Sequence, residues 1–260
     1  MTSKKRITQE CMANAIYYKR DYYTVNGSIH LRLFGRSFDN STPGIEQEFQ
    51  QVRTELPAGT ADNFRFLQQV HDKNVLVFES ATSAQSMIDK SNSLSPFYHL
   101  QEADAACTTQ KQLPIGIRIA DCIPLVMYDK HGKSIAGIHA GWRGLRAQII
   151  EQTVRTLQKR FGVASQELMI TIGPCIAQRS YETGPDVYQN FSAEFSRESD
   201  NAGKKLLDLN SIAVQQLLDL QVPAENITNL STDTFADPRF FSHRAGDSGR
   251  NVFVIYKLPH

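Results

Sequence analysis

Apolar residues recur along this chain with two different periods. From Gly27 to Gly35 (GSIHLRLFG) they alternate with polar ones, the pattern of a strand with one buried face. Ile45, Phe49, Val52 and Leu56 instead fall at helical spacing and predict an amphipathic helix over 44–56, with Pro57 and Gly59 marking its end. Short apolar runs at Val75–Phe78, Ile115–Ile119, Leu168–Ile172 and Asn251–Tyr256 predict strands. Leu145, Ile149, Ile150, Val154, Leu157 and Phe161 mark one face of a helix that closes at Gly162. Val187, Phe191 and Phe195 predict a helix over 185–195, opened by Pro185. Leu209 to Leu220 predicts another, with Asp208 or Asn210 as its cap.

Strands and helices are interspersed without strict βαβ alternation. That order favours an α+β arrangement over a doubly wound parallel sheet. No repeat or linker divides the chain, so residues 1–260 read as one domain. Residues 1–20 read as a loosely attached N-terminal arm, and the Ser-rich segment Ser80 to Ser95 as a mobile loop or surface insertion.

The stretch Ile117 to Leu145 organises the rest. Two β-like runs flank a turn at Asp129-Lys130-His131-Gly132 and read as a hairpin that passes through Gly141-Trp142-Arg143-Gly144 into a helix. A turn centred between Lys130 and His131 sets Cys122 across from His139, the spacing of two ligands of one tetrahedral zinc. A turn centred one residue later sets Cys122 across from Gly141 instead.

Composition narrows the classes. A hydrophobic fraction of 41% and a charged fraction of 21% are those of a soluble globular protein. The net charge of +1 gives non-specific nucleic-acid binding no support. No apolar run approaches the roughly 20 residues that span a bilayer, and no secretory signal is read at the N-terminus. Four cysteines in 260 residues do not make a disulfide framework, so a reducing, cytoplasmic setting is expected.

An open zinc site takes three protein ligands and a water. Cys122 and His139 supply two, and His71, at the edge of a strand, is the best third. The competing reading makes Cys122 a small buried hydrophobe and both histidines ordinary hydrogen-bonding residues. Arg143, just before a helix start, and Arg244 and Arg250, in a Gly-containing loop before the last strand, are candidates to hold phosphate or a carboxylate. Asp121 is a candidate general base or a partner to the metal ligands. Seven histidines are too few for a multicopper laccase, so copper ranks below zinc.

Taken together, QQVHDKNV, DAACTT, IADCIPLVMYD, AGIHAGWRGL, IGPCIAQRSYETG and FFSHRAGDSGR resemble the successive signatures of the YfiH family. That family is also called peptidoglycan editing factor, or the laccase-domain (polyphenol-oxidase) purine nucleoside phosphorylases. The match runs from about residue 64 to the C-terminus. The family's Cys-Thr-Tyr segment stands here as Asp233-Thr234-Phe235. The resemblance implies an α+β sandwich of two packed mixed β-sheets flanked by helices, and zinc on His71, Cys122 and His139. It implies phosphorolysis of adenosine, inosine, guanosine and methylthioadenosine, with inorganic phosphate as co-substrate, and deamination of adenosine. Copper-dependent polyphenol oxidation and editing of cell-wall precursors are also attached to the family. A Cys122–His139 dyad hydrolysing amide bonds is the alternative chemistry.

Overall fold

Alternation along three strands sorts the core into layers. In the computed structural model, which describes residues 16–36, 45–79 and 101–260, the strands are β1 (Ile16–Thr24), β2 (Gly27–Phe34), β3 (Arg65–Phe66), β4 (Val75–Phe78), β5 (Ala105–Thr108), β6 (Ile115–Ile119), β7 (Ile123–Asp129), β8 (Ile135–Ala140), β9 (Leu168–Ile172), β10 (Glu182–Thr183), β11 (Ser196–Glu198), β12 (Lys205–Leu207), β13 (Ile227–Asn229) and β14 (Asn251–Leu258). The α-helices are α1 (Ile45–Thr54), α2 (Trp142–Arg146), α3 (Ile149–Phe161), α4 (Pro185–Tyr188) and α5 (Leu209–Asp219). Strands β1-β2-β14-β6-β3 form one mixed sheet and β13-β9-β7-β8-β5-β4 a second, with β10-β12-β11 a small third.

The two large sheets pack face to face. Phe253 and Ile255 of β14, with Ile115 and Ile117 of β6, meet Val126 and Tyr128 of β7 in a shared apolar layer. The intervening residues of β14 (Val252, Val254, Tyr256) point the other way, onto Phe49 and Val52 of α1. Ile123, Leu125 and Met127 of β7 face α3 and α5. The architecture is therefore α+β, helix on sheet on sheet on helix, as the sequence predicts.

Several elements differ from expectation. Ile16 to Arg20, read as part of a loose arm, pair with β2 in β1; residues 1–15 and the segment from Ser80 to Ser95 lie outside the described residues. The helix read as continuous from Leu145 breaks at Gln148, whose φ of 63° is left-handed, into α2 and α3. The helix expected over 185–195 stops at Tyr188. Asn190 Nδ2 donates to the carbonyls of Asp186 and Val187, competing with helical continuation. Val187, Phe191 and Phe195 still pack on the α3–α5 core.

The hairpin register also corrects one of the two readings. Pro124 pairs with His139 and Ile123 with Ala140, so Gly141, not His139, lies across from Cys122. Gly132 takes the left-handed conformation (φ 72°), and Asp129 accepts the N–H groups of His131, Lys133 and Ser134, which centres the turn one residue later. A one-residue move of the centre changes partner numbers by two and keeps the face. Cys122 and His139 therefore remain diagonal neighbours on the face toward the other sheet.

Candidate metal centre

The chain crosses from one large sheet to the other at Ala120-Asp121-Cys122, between β6 and β7. Asp121 makes the crossing with a left-handed φ of 87°. Asp121 is 8% exposed and both carboxylate oxygens are bonded: Oδ1 accepts from Thr234 Oγ1 at 2.7 Å and Oδ2 from the Arg244 N–H at 2.7 Å. Asp121 thus holds the C-terminal loop against the crossover, through Thr234 and Arg244.

Cys122 follows at the open end of the inter-sheet layer. The ligand atoms of His71, Cys122 and His139 all lie within 4.8 Å of one another, with Cys122 Sγ 3.9 Å from His71 Nε2. The rings of His71 and His139 meet edge to face at 4.7 Å. His139 is 3% exposed, whereas His71 is exposed. Among the described residues this is the group of three that could hold a metal ion.

Asp104, to which the sequence reading gave no role, organises the trio. Its Oδ1 lies 2.7 Å from His139 Nδ1, and its two oxygens accept the N–H groups of Val70, His71 and Asp72 at 2.8–3.1 Å. One buried carboxylate therefore fixes the ring of one ligand and the backbone of another. That backbone needs fixing, because His71 sits at a left-handed φ of 64°. Burial disfavours the Asp104 charge, but His139 and the Asp72 and His71 N–H groups outweigh it and hold the carboxyl below its usual range. Burial likewise opposes ionisation of Cys122, yet His139, aided by His71, brings the thiol well below the ordinary range. His139 is raised: burial opposes its charge, and the Cys122 sulfur and Asp104 overcome it. The segment DAACTT was the signal for Asp104, a lone acid in an otherwise small and apolar run.

The trio fits a metal. Asp104 at Nδ1 leaves Nε2 of His139 free to ligate, the usual carboxylate–histidine arrangement. One sulfur and two imidazole nitrogens would reach tetrahedral zinc distances by closing about an ångström.

The trio opens onto a cavity of about 430 Å³, lined also by Leu67, Gln68, Gln69, Arg118, Ala120, His243 and Arg250. Of the three arginines expected at an anion site, Arg250 lines this cavity. Arg143 is exposed and stacks on Trp142 at 4.4 Å, and Arg244 lies over the Tyr181 ring at 5.2 Å and donates to the Glu182 carbonyl. Neither lines the cavity. Both act on Tyr181, whose phenol burial and the Cys122 charge push up to about 12 against their positive charges. Arg118, in mid-strand on β6, was not read as a site residue.

A two-sheet α+β sandwich with an open two-histidine, one-cysteine centre at the sheet crossover is the class that fold and site define. The chain belongs to the family described as multi-copper polyphenol oxidoreductase laccase, whose pattern it matches over residues 26–257, so the likeness begins well before residue 64. A purine nucleoside phosphorylase of Bacteroides thetaiotaomicron is 31% identical over 226 residues, covering 81% of this chain and 82% of the relative. Purine nucleoside phosphorylase YfiH of Shigella flexneri is 30% identical over 199 residues, covering 74% and 73%. The hypothetical protein YfiH of Bacillus licheniformis shares the fold, with a TM-score of 0.74 at 19% identity over 92% of this chain and 100% of that one. No helix among the described residues is long and apolar enough to cross a membrane.

Proposed function

We propose that this chain is a zinc-dependent purine nucleoside phosphorylase. The observation that carries the reading is the opening of the His71–Cys122–His139 trio onto a cavity also lined by Arg250, which has no carboxylate partner among the described residues. Relatives named purine nucleoside phosphorylase support it. The reaction transfers the ribosyl group of adenosine, inosine, guanosine or methylthioadenosine to inorganic phosphate, breaking the N-glycosidic bond and forming a pentose 1-phosphate. Adenosine deamination is a further activity of the same cavity.

His71, Cys122 and His139 hold the zinc, and the exposure of His71 suits a ligand set that leaves one position open. Bound zinc would supply a Lewis acid at the cavity wall. Asp104 orients His139 and keeps the 70–72 backbone in place. Arg250 holds phosphate through forked donors, and Arg143 and Arg244 extend positive charge beside Tyr181. Asp121 anchors the loop that carries His243, Arg244 and Arg250. The partners are small molecules rather than nucleic acid or membrane, in a cytoplasmic setting.

A second reading has one observation in its favour. Asp104, His139 and Cys122 stand in the order of an orienting acid, a base and a thiol nucleophile, which suits hydrolysis of an amide.

The deciding assay incubates zinc-loaded protein with each nucleoside, with and without phosphate, and follows free base, pentose 1-phosphate and ammonia. Phosphate-dependent base release is expected, and Arg250→Ala should raise the KM for phosphate more than that for nucleoside. Base release at equal rates without phosphate would replace phosphorolysis by hydrolysis.

A further inference from the structure

A purine that departs from its sugar takes the bonding electron pair at N9 and is an anion until a proton reaches the ring. Its N7 is an acceptor whether the 6-substituent is oxygen or an amine. General-acid catalysis at that atom asks for a positioned side chain that carries a proton near neutral pH. The cavity lining offers few such groups.

In the phosphorylase reading His71, Cys122 and His139 bind the metal, and imidazole and thiol ligate only after giving up the proton. A guanidinium keeps its proton in a protein, which removes Arg250 and Arg118. Arg118 is also committed to Glu48 on α1, with Nε donating to Oε2 at 2.5 Å. Gln69 spends its amide on the Arg118 backbone, donating from Nε2 to the carbonyl and accepting the N–H at Oε1. His243 remains. It is exposed and lines the cavity, and its ring bonds to no described residue. Imidazole is also the side chain whose ordinary titration falls between pH 5 and 8.

The main chain of His243 is held on both sides. The Arg244 N–H donates to Asp121 Oδ2 at 2.7 Å, which ties the next residue to the one preceding Cys122. The Ser242 N–H donates to Asp247 Oδ2 at 2.9 Å, and the Ser242 carbonyl accepts the Asp247 N–H at 3.0 Å. The His243 carbonyl accepts the Gly246 N–H at 3.0 Å. The turn is thus fixed at the cavity wall while the imidazole stays free for a ligand.

We infer that His243 is the general acid that protonates N7 of the departing purine. The inference rests on the phosphorylase reading. A phosphate oxygen bonds to C1′ as the C1′–N9 bond breaks, and the bonding pair passes to the base. The imidazolium proton goes to N7. The proton that hydrogen phosphate sheds on becoming a sugar phosphate dianion returns to the imidazole. Adenosine, inosine, guanosine and methylthioadenosine share N7, so one donor serves all four.

The test uses the full zinc-loaded chain with inosine and 7-methylinosine, each with and without phosphate. Methylation places the positive charge on N7 in advance, so the base departs neutral with no proton transfer. His243→Gln keeps a polar side chain that cannot act as the acid, and should lower kcat for inosine by about 100-fold or more. On 7-methylinosine the same variant should retain at least about a third of the wild-type kcat, because no acid is needed there. His243→Asn is the second variant, and neither substitution removes a side-chain hydrogen bond to a described residue. An equal loss on both nucleosides would make His243 a binding residue and overturn the assignment, as would full activity on inosine in either variant. Failure of the phosphorylase reading itself shows in the wild type, as no phosphate-dependent release of base from either nucleoside.

Discussion

A Cβ placed on Gly141 would lie 2.8 Å from Cys122 Sγ and 3.1 Å from His71 Cδ2. Gly141 is the residue across the hairpin from Cys122, so its missing side chain is the space in which thiol and imidazole approach each other. Its φ of −79° and ψ of 176° are open to any residue, which makes the constraint steric and not conformational. Gly141→Ala should therefore fold normally and bind zinc at least about tenfold more weakly, since a ligand must shift. Competition with a chromophoric chelator measures this. Unchanged affinity would mean that the thiol does not ligate from this position.

This glycine also shows how far the sequence could be read. The pairing that suggested a Cys122–His139 site was one turn position wrong, yet the two side chains still come together because the error preserved the face of both strands. The strands β4, β6, β9 and β14 and the capped helix α5 follow from local pattern, and each was legible. Asp104 was not, because its role depends on bringing β5 beside the 70–72 loop and β8, contacts more than 30 residues apart. The Arg118–Glu48 pair escaped for a similar reason: Glu48 is 70 residues away, in a helix whose sequence looks merely amphipathic. Conversely, Arg143 and Arg244 were expected beside Arg250 from their glycine-rich settings, and stacking on Trp142 and Tyr181 takes them elsewhere.

Asp104→Asn tests the carboxylate that joins the two histidine ligands. Asparagine keeps the shape but offers one acceptor oxygen in place of two, and no charge. His139 loses its orienting partner, and part of the 70–72 backbone loses its acceptor. Zinc affinity should fall about 10–100-fold, and the metal-free protein should lose about 1–3 kcal/mol for each N–H left unpaired. Chelator competition and denaturant unfolding read the two effects separately. A variant that loses stability but keeps full zinc affinity would confine Asp104 to holding the loop.

Lys257 carries a pH dependence remote from the metal centre. It lies at the far end of β14 from Asn251, and its Nζ donates to the Lys133 carbonyl at 2.6 Å, tying one sheet to the hairpin turn of the other. Burial lowers its pKa from 10.5 to about 8, against the pull of Asp129. The folded state therefore holds this proton less tightly than the unfolded chain. The cost is fully present below about pH 8, shrinks as pH rises from about 8 toward 10.5, and is gone above. Wild type should accordingly gain stability over Lys257→Met as pH rises through that window, by chemical unfolding at successive pH values. A difference that stays flat would show that the amine enters the fold at no cost.

Cys122 can ligate zinc or attack as a thiolate, and the two roles separate in metal-free protein. Burial opposes its ionisation, but His139 and His71 more than compensate, so the thiol is acidic. Cys107 and Cys175 are buried without such help, and burial pushes both up to about 12. After chelation, an alkylating reagent at neutral pH should modify Cys122 well ahead of those two, by peptide mass spectrometry. The rate should fall as acid protonates the thiolate, and one equivalent of zinc should block it. Turnover then assigns the role. If Cys122 is a ligand, chelation abolishes base release, zinc restores it, and Cys122→Asp, which can ligate but cannot act as a thiolate, keeps measurable activity with excess zinc. If Cys122 is the nucleophile, the chelated wild type stays active until it is alkylated. That outcome would hand the site to the Asp104–His139–Cys122 reading and remove zinc from the chemistry.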